Sequence, residues 1–153
     1  MIEPIVSYKT GMLLKQRGFD EICNMGYCDD IVHNGKSLSY DDELDLIDEG
    51  KGDEIEYIAG GRLSNMGGVR NSCDYVHETV CAAPSQSIAA KWLREEYGIV
   101  VLIRIAYAKD GVEYTFSVTD TRTRKTYESG DYFKKYESAY DFGIRYALEK
   151  YAN

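Results

Sequence analysis

Residues 81–119 read CAAPSQSIAAKWLREEYGIVVLIRIAYAKDGVEYTFSVT and predict a helix followed by two strands. Pro84 has no amide hydrogen to lose, and its fixed φ suits the first turn of a helix. Apolar side chains then recur at helical spacing as far as Tyr97, and Gly98 supplies the left-handed residue that ends many helices. We therefore expect a helix over residues 84–97, the most strongly predicted element of the chain.

The sequence after this helix predicts a β-hairpin. The run IVVLI at 99–103 is mostly β-branched and too short to form a helix of its own. The tripeptide KDG at 109–111 is a hairpin turn signal, because Gly tolerates the positive φ that such turns need. Apolar and polar residues alternate after the turn, which is typical of an antiparallel strand with one face in solvent. The two strands are expected at about 99–107 and 112–119.

Two further helices are predicted near the ends of the chain. Residues 7–17 begin with a capping serine and end at a glycine. Residues 137–151 repeat apolar side chains every three or four positions. Gly143 lies inside the second helix, where it costs about 1 kcal/mol relative to Ala, which hints at close packing on a sheet. The whole pattern predicts an α+β fold, with a small antiparallel or mixed sheet that contains the hairpin and is packed by three helices.

The first half of the chain gives weaker structural signals. Residues 19–33 are ambiguous and fit short strands that break at Gly26. Residues 41–56 form an acidic segment with nine carboxylates against one lysine. Two pairs of glycines predict a flexible, glycine-rich loop over residues 60–71. Residues 74–80 read as one more strand.

The motif PSQ at 84–86, leading into KWLRE at 91–95, resembles a family of small uncharacterised proteins from phages and prophages of Bacteroides-type bacteria. Members of that family often join such a helix to a hairpin and a closing Tyr-Glu-x-Ala helix, matched here by YESA at 136–139. The resemblance covers roughly the second half of the chain and part of the N-terminal helix, while Asp41–Asn71 has no counterpart. It implies an accessory role in a bacterial or phage-infected host cell, and it transfers no catalytic residues because the family has no assigned activity.

Composition limits the classes of function. With 153 residues, of which 44% are hydrophobic, residues 1–153 are expected to form a single globular domain. The formal net charge of −8 disfavours non-specific binding to nucleic acid. The N-terminus has no basic region followed by an apolar stretch, and the longest aliphatic run is too short for a membrane span. We therefore expect no signal peptide, a cytoplasmic location and four reduced cysteines.

Three residues spaced four apart are the candidate metal ligands: Cys73, His77 and Cys81. On a helix they would share one face, whereas on a strand His77 would lie about 13 Å from each cysteine. No C-x-x-C pair, the usual zinc signature, is present. Asp74 and Glu78 would raise the pKa of a neighbouring thiol, which argues against a Cys–His nucleophile. The sequence favours inert thiols, and it predicts no cofactor and no catalytic residue.

Cationic side chains offer a second kind of candidate site. The glycine pairs between residues 60 and 68 could cradle an anion through backbone amides and nearby guanidinium groups. Their spacing matches neither the Walker motif nor the dinucleotide-binding fingerprint. A small basic cluster also follows the predicted hairpin. The candidate contacts for an anion or a nucleic acid are Arg62, Arg70, Arg122, Arg124 and Lys125.

The leading functional hypothesis is a non-catalytic interaction module that binds a protein partner through tyrosines and acidic residues. The chain has 14 tyrosines, and charge complementarity favours a basic partner. One alternative is a small enzyme with a cleft beside the Gly60–Arg70 loop, and another is a nucleic-acid binder with a local basic patch. An edge strand near Ser129 and exposed tyrosines also allow a homodimer, and no membrane association is predicted.

Overall fold

The computed structural model describes residues 3–73 and 80–152. Within those ranges the strands form two antiparallel sheets accompanied by four helices, so the predicted α+β class and the hairpin are confirmed. The predicted strand at 74–80 lies, except for its last residue, outside the described residues. The elements in chain order are α1 (Tyr8–Gln16), β1 (Cys23–His33), β2 (Lys36–Ser37), α2 (Tyr40–Asp48), a 3₁₀ turn (Gly52–Glu54), β3 (Glu56–Val69), β4 (Cys81–Ala82), α3 (Gln86–Tyr97), β5 (Ile99–Ala108), β6 (Gly111–Asp120), β7 (Lys125–Glu128) and α4 (Tyr136–Lys150).

The first sheet is built around β1, which pairs with β3 on one edge and with β2 and β4 on the other. The register of β1 with β3 runs from Cys23 opposite Val69 to Val32 opposite Glu56. The ambiguous segment 19–33 therefore contains one continuous strand of 11 residues, without a break at Gly26. A two-residue turn, Asn34–Gly35, joins β1 to β2, and both of its residues have positive φ.

The predicted glycine-rich loop at 60–71 is wrong for most of its length, because β3 runs through residues 56–69 as a strand of 14 residues. The glycines serve close packing there. Gly60 has a φ of +65°, and a Cβ at this position would clash with the ring atoms of Tyr8. A Cβ on Gly61 would lie 2.8 Å from the Cβ of Asp30. These glycines thus let α1 and β1 approach the strand closely.

The second sheet has the strand order β5-β6-β7, and α4 packs across β5 and β6. A Cβ on Gly143 of α4 would lie 2.7 Å from Val101 Cγ1 and 3.2 Å from Phe116 Cβ. The expectation of close packing at Gly143 is therefore confirmed. The helix α3 packs against β5. Its N-cap is Ser85 and its C-cap is Gly98.

The helix α1 contacts both α4 and β4, so it connects the two sheets. The three helices predicted from the sequence correspond to α1, α3 and α4. Their predicted ends lie within two residues of the observed bounds, which are 8–16, 86–97 and 136–150. No helix within the described ranges is both long and apolar enough to cross a membrane. The buried apolar cluster draws on both sheets and on α1, α3 and α4, and its largest fully buried members are Phe19, Leu14, Leu93, Ile99, Ile144, Leu148, Val6 and Val118.

The acidic segment lies at the end of the first sheet that is far from this apolar cluster. Of the residues of β1 and β3, Cys23 and Val69 are the two buried members of this cluster, and both lie at one end of the strand pair. The helix α2 connects to the other end of that pair through β2 and the 3₁₀ turn. We call residues 36–58 the acidic arm. It holds nine carboxylates and two lysines, a net charge of −7, against −8 for the whole chain. The rest of the protein is therefore almost neutral.

Candidate functional site

The helix α2 of the acidic arm begins and ends with well-formed caps. Ser39 is the N-cap, and its hydroxyl accepts a hydrogen bond of 3.2 Å from the amide of Asp42. Three carboxylates occupy the first turn, where the positive end of the helix dipole stabilises negative charge. At the other end Gly50 has a φ of +78°, and the amide of Lys51 donates to the Leu46 carbonyl at 2.8 Å. Local sequence thus accounts for the bounds of α2.

The orientation of α2 is inverted relative to an ordinary amphipathic surface helix. Its one buried residue is Glu43, 8% exposed, while Tyr40, Leu44 and Ile47 are 68%, 41% and 47% exposed. Because these three are spaced by four and three residues, they form one continuous stripe along the helix. We call them the α2 stripe. A helix normally turns such a stripe toward the core.

Carboxylates border the α2 stripe on one side. Asp41 and Asp45 are exposed. Each directly follows a residue of the α2 stripe, so both carboxylates lie beside the stripe on the helix surface. Tyr57 and Ile58 of β3 are also exposed and belong to the acidic arm, but as successive strand residues they point to opposite faces of the sheet. Exposed apolar surface rimmed by charges of one sign is typical of a site that binds a protein of the opposite charge.

The buried Glu43 is not well accommodated under α2. Its Oε2 atom has no hydrogen-bond partner among the described residues, and leaving a buried polar atom unpaired costs about 1–3 kcal/mol. Tyr57 lies close enough that its pKa is raised, first by burial of its hydroxyl and then by the Glu43 charge. The inward face of α2 therefore stabilises the arm poorly, and apolar packing does not explain why its stripe faces outward.

The structure describes two of the three candidate metal ligands. Cys73 is exposed, Cys81 is buried in β4, and His77 lies outside the described residues. No group of three or more metal-ligating side chains occurs in residues 3–73 and 80–152. Burial raises the pKa of Cys81 to about 11, and burial with the nearby Glu21 does the same for Cys23. At neutral pH these two thiols are almost wholly protonated and are poor nucleophiles.

We expect the cysteines to differ in their rates of alkylation. At pH 8 iodoacetamide should modify the exposed Cys73 at least about tenfold faster than Cys23 or Cys81, because the thiolate is the reactive form. Peptide mapping by mass spectrometry over time would show a fast phase at Cys73, with Cys23 and Cys81 modified later. Replacement of Cys73 by serine should remove that fast phase, and rapid loss of Cys81 would contradict the interpretation.

The five candidate cationic residues fall into two groups on different sheets. Arg62 lies in β3, where its Nη2 donates to the Leu38 carbonyl at 3.1 Å and anchors the connection into α2. Arg122, Arg124 and Lys125 lie at the turn between β6 and β7. The Nε of Arg122 is 3.4 Å from a carboxylate oxygen of Asp120, so its charge is already compensated. Arg70 follows β3 directly.

The alternative hypothesis of a small enzyme expected a cleft beside a loop at Gly60–Arg70, but that segment is mostly strand. A pocket of about 470 Å³ lies instead beside the C-terminal ends of α1 and α3. Two of its lining residues hold the fold together, because the Nε of Arg17 donates to the Leu148 carbonyl and the Tyr97 hydroxyl donates to the Arg17 carbonyl. The remaining lining residues are Gly18, Asp20, Glu21, Trp92 and Glu96.

Comparison with known proteins adds no assignment. The chain matches no family model, and neither the curated proteins nor the solved structures compared with it give a significant match.

The α2 stripe is the feature that sequence reasoning did not identify. Leu44 and Ile47 are visible as apolar residues in an acidic segment, but their exposure follows only from the way α2 is seated on the first sheet.

Proposed function

We propose that this protein is a non-catalytic interaction module whose α2 stripe binds a basic, amphipathic segment of a protein partner. The inverted seating of α2 carries the proposal, because the helix exposes three of its four apolar side chains, all but the partly buried Leu46, and buries a carboxylate. The resemblance to small phage and prophage proteins suggests that the partner is met in the cytoplasm of a bacterial or infected host cell.

The charge distribution specifies the chemistry of the partner. The acidic arm carries a net charge of −7, and at physiological salt such charges act over about 8 Å. A partner must therefore bring its lysines or arginines directly beside the stripe while its own apolar side chains contact Leu44 and Ile47. An amphipathic helix with a basic border meets both conditions. The same field repels nucleic acid from this surface.

The proposal is tested by selecting binders from a random peptide library of about 15 residues, long enough to form a short helix. We expect peptides that combine lysine or arginine with apolar residues at helical spacing. The double substitution Leu44→Ser and Ile47→Ser should weaken their binding by at least about tenfold, or 1.4 kcal/mol. Fluorescence anisotropy with labelled peptides would measure the affinity, and it should fall as salt is raised.

The matched control is Ile88→Ser, which removes a similarly exposed apolar side chain from α3. It should change peptide affinity by less than about twofold, since surface changes away from a site have small effects. Circular dichroism should show that both variants keep the native fold, because the replaced side chains are exposed. Failure to select any basic amphipathic peptide, or equal binding to the Leu44→Ser/Ile47→Ser variant, would overturn the proposal.

A further inference from the structure

The strand β5 forms a free edge of the second sheet. Within the described residues it pairs with β6 alone, and their register runs without a shift from Ile99 opposite Asp120 to Ala108 opposite Gly111. Proteins usually protect such edges with proline, a bulge or inward-pointing charges. The ten residues of β5 contain neither proline nor a bulge, and Arg104 is their only charged residue.

The hydrogen bonds of β6 show which backbone groups of β5 face outward. Tyr114 exchanges two hydrogen bonds of 2.7 Å with Phe133, so its amide and carbonyl point away from β5. Ile105, which lies opposite Tyr114, is therefore in a non-hydrogen-bonded pair, and its own amide and carbonyl point to the outer edge. By alternation the same holds for Ile103 and Tyr107. None of these groups bonds to another described residue.

Apolar side chains surround the outer half of this edge. Tyr107 is 87% exposed and Ile105 is 59% exposed, and Val112, opposite Tyr107, is exposed on the same face. The one charge of β5 is compensated within the chain, since Arg104 Nη1 lies 2.9 Å from a carboxylate oxygen of Glu128. An edge with unpaired backbone groups and apolar side chains can accept another strand.

We propose that a second copy of this chain pairs with β5 in antiparallel orientation and joins the two second sheets into one six-stranded sheet. Electrostatics favours a copy here: over residues 99–113 two cationic and two acidic side chains cancel, whereas the acidic arm would repel its own copy. A two-fold axis at Ile105 places Ile103 opposite Tyr107 of the second copy. In that register Arg104 faces Ala106 of the second copy, so no like charges lie directly opposite each other across the new pair.

This surface differs from the edge near Ser129 that sequence reasoning suggested for a homodimer. That edge belongs to β7, which has only four residues and ends at Glu128. The amide of Ser129 already donates to the Phe116 carbonyl at 2.9 Å. The proposed pairing is also separate from the α2 stripe, which lies on the first sheet's arm, so the two proposals fail independently.

The test is sedimentation of the full chain over a concentration series. We expect a dimer that dissociates on dilution, and we expect Tyr107→Lys and Ile105→Lys to raise the dissociation constant at least about tenfold. Ile22→Lys, which changes an exposed isoleucine directly before β1, and the Leu44→Ser/Ile47→Ser variant should remain dimeric. Hydrogen exchange adds a backbone readout: the amides of Ile103, Ile105 and Tyr107 should be protected in the dimer and exchange rapidly in the Tyr107→Lys monomer.

Two results would overturn the inference. One is a wild-type chain that stays monomeric up to about 1 mM, where even a weak dimer is populated. The other is a dimer that the two lysine substitutions leave intact, because it must then use a different surface. Tyr107→Lys alters a side chain that is almost fully exposed, so the variant should fold, and circular dichroism would confirm that its loss of association is not unfolding.

Discussion

Asp141→Ala is expected to lower the free energy of unfolding by about 3–5 kcal/mol, the usual cost of removing one partner of a buried ion pair. The Asp141 carboxylate on α4 is buried and accepts four hydrogen bonds. The amide and hydroxyl of Ser7 each donate at 2.7 Å, the Thr10 hydroxyl at 3.0 Å and Arg145 Nη2 at 3.1 Å. Alanine leaves these donors, including a mostly buried guanidinium, without their acceptor.

The position of these hydrogen bonds to Asp141 explains why their loss should destabilise the whole fold. Ser7 caps α1, and α1 is the helix that contacts both α4 and the first sheet. Urea unfolding followed by circular dichroism would measure the change. Glu149→Ala on the exposed side of α4 is the matched control and should change stability by less than about 0.5 kcal/mol. A loss below about 1 kcal/mol for Asp141→Ala would show that the cluster is not a structural anchor.

The second half of the fold was predictable because its signals are local. The hydroxyl of Ser85 accepts from the Ile88 amide at 3.3 Å, and Gly98 adopts a φ of +67°, so both ends of α3 are determined by neighbouring residues. The KDG turn likewise fixes the register of β5 and β6, since Ala108 pairs with Gly111. Each of these features needs only a few consecutive residues.

The first sheet was not predictable because its glycines are required by contacts with residues that are distant in sequence. Gly60 must lack a side chain because the ring of Tyr8, 52 positions earlier, covers it. Gly26, inside β1, must also lack a side chain, because a Cβ there would lie 2.7 Å from Met66 Sδ and 3.1 Å from the Cys81 carbonyl oxygen. Read locally, paired glycines indicate a flexible loop. Only the packed sheet shows that they permit close approach of a strand.

The candidate site is hidden in the sequence for a different reason. No helix was predicted in the acidic segment, although Tyr40, Leu44 and Ile47 are spaced to share one face of a helix. Ordinary amphipathic reasoning would bury such an apolar face. The structure instead turns Glu43 inward, while hydrogen bonds at Leu38 and Leu46 hold the two ends of α2. Periodicity identifies which residues share a face, but it does not identify which face is covered.

Gly143→Ala is expected to lower the free energy of unfolding by at most about 2 kcal/mol, because alanine is the better helix former by about 1 kcal/mol and so offsets part of the packing cost. The new Cβ would lie 2.7 Å from Val101 Cγ1 and 3.2 Å from Phe116 Cβ, and overpacking a core costs about 1–3 kcal/mol. Urea unfolding measures the net effect.

The physical cause of the Gly143→Ala effect can be separated from helix propensity by a double-mutant cycle with Val101→Ala. If the contact between the new methyl and Val101 causes the loss, alanine at 143 should be less harmful, or even stabilising, once Val101 is truncated. Gly130→Ala, at a position where a Cβ would meet no atom within 4 Å, should be nearly neutral. Stabilisation by Gly143→Ala in the wild-type background would mean that propensity dominates and that α4 can move away from the sheet. The glycine would then not be required for the packing of α4 on β5 and β6.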